Sequence, residues 1–404
     1  MNRLALVFLM GLAVFPLAAQ RPKKLDPTNF IAVGEGLAAG MADYSLKDIY
    51  QLKSFPAQMA QQMNTSFPQA LFQGTGIGNA PGFPEMPVRV PGPGQNSVRT
   101  DFPPQLFVFN VSVPGLRVED SLNKRPSAPI VRYDDMVQTS VNLILGYPAL
   151  ILKDKPLWTQ YEYALQMNPT FALVELGYFD ILQGAVNGDL SKLPDVNAFA
   201  TNYSKIVSGL ANTGATVLVT TVPDPTTTAY FTTVAGSTRL TGAPASVVTS
   251  VYRVAANDLI TATGMTALAA RVEGSDPSPL PAGSTIPAAA VATIQQRVRD
   301  VNTQINSIAQ KSGALVYDLN GLFARVRANG VLVGKQVLTA DYLGGFYSLN
   351  GYYPGETGSA VIANEILSLL NSTYGTAFLP VNLISTAADD PSVKFAVQVD
   401  GAIR

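Results

Sequence analysis

Phe30-Ile31-Ala32-Val33-Gly34-Glu35-Gly36-Leu37-Ala38-Ala39-Gly40 decides how this chain folds. Its first four residues are apolar and partly β-branched, which predicts a short buried strand. Glycines at 34, 36 and 40 follow, so the backbone can turn sharply before a helix begins. Strand, tight turn and helix in that order belong to an α/β sheet, where ligands and catalytic groups gather at the carboxyl ends of strands. The turn itself offers Glu35 and Gly36, a poor set for nucleophilic chemistry.

Outward from this stretch the same rhythm repeats. Apolar runs of strand length occur at Leu106 to Val111, Phe171 to Leu176, Ala215 to Val222 and Ala314 to Asp318. Helical spacing or composition is found over residues 45–64, 134–167, 195–213, 291–312, 319–328 and 359–371. Strands alternating with helices predict a parallel sheet covered on both faces. Five strands match a flavodoxin-like, three-layer α/β/α sandwich with a five-stranded parallel sheet. Two stretches break the rhythm. Residues 71–105 hold a Gly- and Pro-rich loop insertion, and residues 226–290 read as a second insertion over the sheet. The domain is expected over 29–372, followed by an extended C-terminal tail, 373–404.

Met1 to Gln20 has Arg3, an apolar run from Leu4 to Leu17, and then Ala18-Ala19. This is the pattern of a cleaved secretory signal, here 1–19, with a short polar leader at 20–28. A membrane anchor is the competing reading, but the run is short and contains Gly11 and Pro16. The expected location is therefore periplasmic or secreted, with no integral membrane span after signal removal.

Composition narrows the chemistry. Of 404 residues, 47% are hydrophobic, enough for a substantial core. Only 14% are charged and the net charge is −1, so there is no electrostatic footprint for nucleic acid. Cysteine is absent, which removes disulfides, thiol catalysis and thiolate metal sites. Histidine is absent as well, so any mechanism must work without imidazole. No acidic cluster has metal-ligand spacing, and neither a metal nor a cofactor is expected.

Four turns lie at strand ends or just before the last helix. They are Gly34-Glu35-Gly36-Leu37, Val113-Pro114-Gly115, Gly177-Tyr178-Phe179-Asp180 and Leu349-Asn350-Gly351-Tyr352-Tyr353-Pro354. In order and spacing they resemble the blocks of the SGNH/GDSL family of esterases and lipases, over roughly Asn29 to Asn371. Supporting echoes are Ala360 to Ile366 after the last block, Asn302 before the last strand, and Asn257 to Ile260. The resemblance implies a serine nucleophile in a Gly-Asp-Ser-Leu block, an oxyanion glycine, an oxyanion asparagine in Gly-x-Asn-Asp, and an Asp-x-x-His-Pro block that supplies orienter and base.

Carried over one residue at a time, this machinery is gone. Gly36 stands at the nucleophile position, Phe179 at the asparagine, Asn350 at the aspartate and Tyr353 at the histidine. Only the oxyanion glycine, Gly115, is kept. Acyl transfer by this route needs a hydroxyl within reach of a base, and a tyrosine of ordinary pKa near ~10 is a poor base at neutral pH.

A catalytically degenerate member is therefore expected. Its ligand-binding candidates are Glu35, Gly36, Gly115, Tyr178, Asp180, Asn350, Tyr352 and Tyr353. Glu35 reads either as a replacement acid or base acting with Asp180, or as a carboxylate capping the helix start. Tyr352 and Tyr353 read either as stacking platforms or as packing, and Phe179 as filling of the former polar pocket. Asp224 and Asp276 read as turn residues. The expected function is non-catalytic binding of a neutral polar or acylated, glycan-like small molecule. The alternatives are ester hydrolysis through a non-standard arrangement, and an envelope structural protein with a protein partner.

Overall fold

The computed structural model describes residues 24–83, 107–147, 149–152 and 156–394. The proposed signal 1–19, the first part of the leader, most of the 71–105 insertion and the last ten residues lie outside them.

The chain is a mixed α/β structure. Its strands in chain order are β1 Phe30–Gly34, β2 Phe171–Glu175, β3 Thr216–Thr220, β4 Phe231–Thr233, β5 Leu259–Thr261, β6 Thr285–Ile286, β7 Leu315–Tyr317, β8 Val331–Val333 and β9 Gln336–Leu338. The central sheet has four strands, all parallel, in the order β1-β2-β3-β7. β1, β2 and β3 are buried along their whole length, as strands covered on both faces must be. That is why they read as continuous apolar runs rather than alternating ones.

The segment expected as a fifth strand is not one of the four strands of this sheet. It does lie beside β1: Ala32 N–H donates to Phe109 O at 2.9 Å, and the N–H groups of Val111 and Val113 donate to Ala32 O and Gly34 O. Yet only Asn110 pairs with β1 as an isolated parallel bridge. Pro114 and the left-handed Gly115 (φ 81°) turn the chain away at its end. The buried Gln160 side chain spans the seam, donating to both Gly34 O and Val111 O.

Helices flank the sheet where periodicity placed them. Val196–Asn212 starts on an Asp195 cap, and Ala288–Ser312 ends on Gly313 in the left-handed region. The 226–290 insertion is ordered. It forms the antiparallel sheet β4-β5-β6 and three helices around a small core of its own that includes Val248, Ile260 and Leu268. The tail is a correction, since residues 383–389 are helical, capped by Asn382, rather than extended. Asn364 holds the segment before them by exchanging two hydrogen bonds with the backbone of Val381. The end of the leader is also structural, because Leu25 belongs to the main core. Among the described residues no helix is long and apolar enough to cross a membrane.

Candidate functional site

β1 delivers the chain to Glu35, which caps the four-residue helix Gly36–Ala39 by accepting from Leu37 N–H at 2.9 Å. Gly40, at φ 81°, ends that helix where a side chain would strike Ser54. The other oxygen of Glu35 accepts a 2.6 Å hydrogen bond from the hydroxyl of Tyr353. A Cβ on Gly36 would sit 2.6 Å from that hydroxyl oxygen and 2.7 Å from Cζ of the ring. Positions 36 and 353 therefore face each other, and the tyrosine occupies the space any side chain at 36 would need.

Asn350 shapes the turn behind this contact. Its Oδ1 accepts from the N–H groups of both Tyr352 and Tyr353, an Asx turn, while its buried Nδ2 has no partner among the described residues. Tyr178 donates to the carbonyl of Tyr352 and meets the Tyr353 ring edge-on, with centroids 6.0 Å apart. Tyr352 donates in turn to Pro81 O at 2.9 Å. Residues 80–82 thus close over the tyrosines.

A second carboxylate completes the cluster. Glu175, the last residue of β2, lies in register with Gly34 and accepts from the N–H groups of Glu35 and Ala38 through one oxygen. Sequence reasoning missed it. The available signal was an acid inside the apolar run Phe-Ala-Leu-Val-Glu-Leu, at a strand's carboxyl end. Burial pushes the Glu35 carboxyl up to about 7 against the lowering effect of the Tyr353 hydrogen bond. Burial and the neighbouring Glu35 push Glu175 up as well. Burial and the charge of Glu35 raise the Tyr353 hydroxyl further above its ordinary range, so it serves as a donor and not as a base.

The structure brings the candidates together in two groups. Glu35, Gly36, Tyr178, Asn350, Tyr352 and Tyr353 form the first and are sealed from solvent: Glu35, Tyr178, Asn350 and Tyr352 are 0% exposed and Tyr353 is 1%. Large aromatic rings fill the volume that smaller polar side chains would leave, so these residues present no surface to solvent at the Gly36 turn. Gly115, Phe179 and Asp180 form the second. A Cβ on Gly115 would come 3.7 Å from Phe179, and both residues are half-buried. Asp180 is buried, accepts from Val118 N–H, and has Arg117 Nε at 3.7 Å. Burial raises it to about 6 against these two lowering influences. Asp224 accepts from both Thr226 N–H and its hydroxyl, and Asp276 accepts from Ser278 N–H, so both spend a carboxylate oxygen on a turn.

Among the described residues no group of three or more acidic side chains is placed to hold a metal ion. No family model matches the chain, and no curated protein matches it. Among solved structures, an acetyl xylan esterase is similar with a TM-score of 0.37 and 11% identity, covering 84% of this chain and 98% of that one.

Proposed function

We propose that this chain is an exported, non-catalytic binding protein on an SGNH-hydrolase-like scaffold, taking a neutral polar or acylated, glycan-like small molecule. Counting the 109–113 segment as a strand makes the sheet order 2-1-3-4-5, that of the flavodoxin-like arrangement. The observation that carries the loss of catalysis is the contact between Gly36 and Tyr353. The nucleophile position has no side chain, and the base position fills its space with a hydroxyl committed to Glu35. An acyl group has neither an attacking oxygen nor room to approach.

The two carboxyls that could replace the lost chemistry are occupied: Glu35 by a backbone amide and Tyr353, Asp180 by Val118 N–H. The test is hydrolysis of p-nitrophenyl acetate by the purified protein. The expected rate is that of buffer, unchanged in Glu35→Gln and Asp180→Asn. Turnover abolished by either substitution would overturn the reading.

A further inference from the structure

The structure also holds an open groove of about 340 Å³, away from the sealed turn. It runs where the C-terminal end of the helix Tyr178–Asn187 meets the insertion, with Asn187 on one wall and Thr263, Ala267, Gly283 and Ser284 on the other. Ligand sites favour such junctions between separately packed units. Here Phe231 and Ile286 of the insertion join the main core, while Ile260 between them belongs to the insertion's own cluster. Tyr230 pins the junction: its hydroxyl donates to Gly82 O at 3.0 Å and lies 3.4 Å from Val186 O.

We propose that this groove, and not the former catalytic turn, is where the protein binds a neutral, hydroxyl-rich ligand of mono- or disaccharide size. The claim rests on the binding reading above and gives it a place. Three features carry it. None of the groove's lining residues is ionisable, so a charged ligand would lose its hydration without a counter-charge. Ser284 is only 5% exposed, yet it lines the groove and its hydroxyl has no hydrogen-bond partner among the described residues. Asn187 donates its amide to Gln183 O and its carbonyl oxygen accepts from none of the described residues, while the Thr263 hydroxyl lies 3.2 Å from that of Thr261 and also meets the Tyr230 hydroxyl. The groove therefore offers an unpaired hydroxyl, an amide oxygen and a second hydroxyl beside the apolar Ala267 and Pro281, a set that matches a sugar's alternating hydroxyl and C–H faces.

The test titrates the full-length protein with cellobiose, N-acetylglucosamine and glucuronate, followed by saturation-transfer NMR. A neutral sugar should bind and glucuronate should bind more weakly. Ala267→Trp, which fills the groove, should weaken binding by roughly ten-fold or more, and Ser284→Val by roughly five-fold through one lost hydrogen bond. Asn187→Ala, at an exposed helix end, supplies a variant that cannot fail by unfolding the core. Binding that survives all three substitutions would overturn the groove and leave the binding function standing. No binding of either neutral sugar at about 20 mM would overturn both.

Discussion

At the scale of the residue, Tyr353 and Glu35 explain most of what is unusual. The tyrosine hydroxyl satisfies one carboxyl oxygen and Leu37 N–H the other, so a buried acid is tolerated with no ion-pair partner among the described residues. Two consequences can be measured. First, Gly36→Ser should destabilise the protein by about 2–3 kcal/mol in urea unfolding, because the added atoms meet a ring that is locked on every side. Combining it with Tyr353→His should recover part of that loss through coupling between touching residues.

The second consequence is a pH dependence with a defined sign. Glu35, Glu175 and Asp180 all have folded-state pKa values raised by burial, so their contribution is complete below the unfolded value near 4.5 for Glu35. It is lost as pH rises through about 6 for Asp180 and about 7 for Glu35. Unfolding midpoints should therefore fall between pH 5 and pH 8, by an amount on the order of 2–3 kcal/mol from Glu35. Glu35→Gln and Glu175→Gln should flatten the curve. A midpoint that rises over this interval would contradict the assignment.

At the scale of the element, the last long helix, Glu356–Tyr374, shows how distant chain ends stabilise one another. Its first turn has no side-chain cap from its own N-cap residue, Gly355. Asp390 supplies one from 33 residues away, accepting from Thr357 N–H at 2.7 Å while its other oxygen accepts from Ser392 N–H. Asp390→Ala should cost about 1–2 kcal/mol, in the range of a lost helix cap, measured by chemical denaturation. Asn364→Ala should add a further loss by releasing Val381. If both substitutions leave stability unchanged, the tail does not support this helix.

At the scale of the whole molecule, two packed clusters of different size predict uneven stability. The main core surrounds the central sheet, whereas the insertion's own cluster comprises seven buried residues among those described, Ile260 and Leu268 included. Amides of the insertion helices should exchange with solvent through openings of lower free energy than those of β1, β2 and β3. Mass-resolved hydrogen exchange checks this. Equal protection in both regions would show that the insertion and the main core open as one unit.

What the sequence determined by itself was local: a strand where four apolar residues precede glycines, helices where apolar residues recur at helical spacing, and a turn whose Gly36 carries no side chain. These are properties of short windows, set by backbone freedom and periodicity, and β1, β2, β3 and the flanking helices appear close to where those windows place them. The absence of histidine and cysteine was equally legible, since composition needs no geometry. Tertiary structure alone decided three things. It brought Tyr353 onto Gly36 across more than 300 residues and sealed that turn from solvent. It placed Glu175 beside Glu35, a pairing that depends on the register of two strands and not on either segment. It folded the tail back onto Asn364 and Thr357, contacts whose partners carry no mark of each other in the chain. In each case the deciding quantity is the shared space left between elements, and that space exists only once the elements have packed.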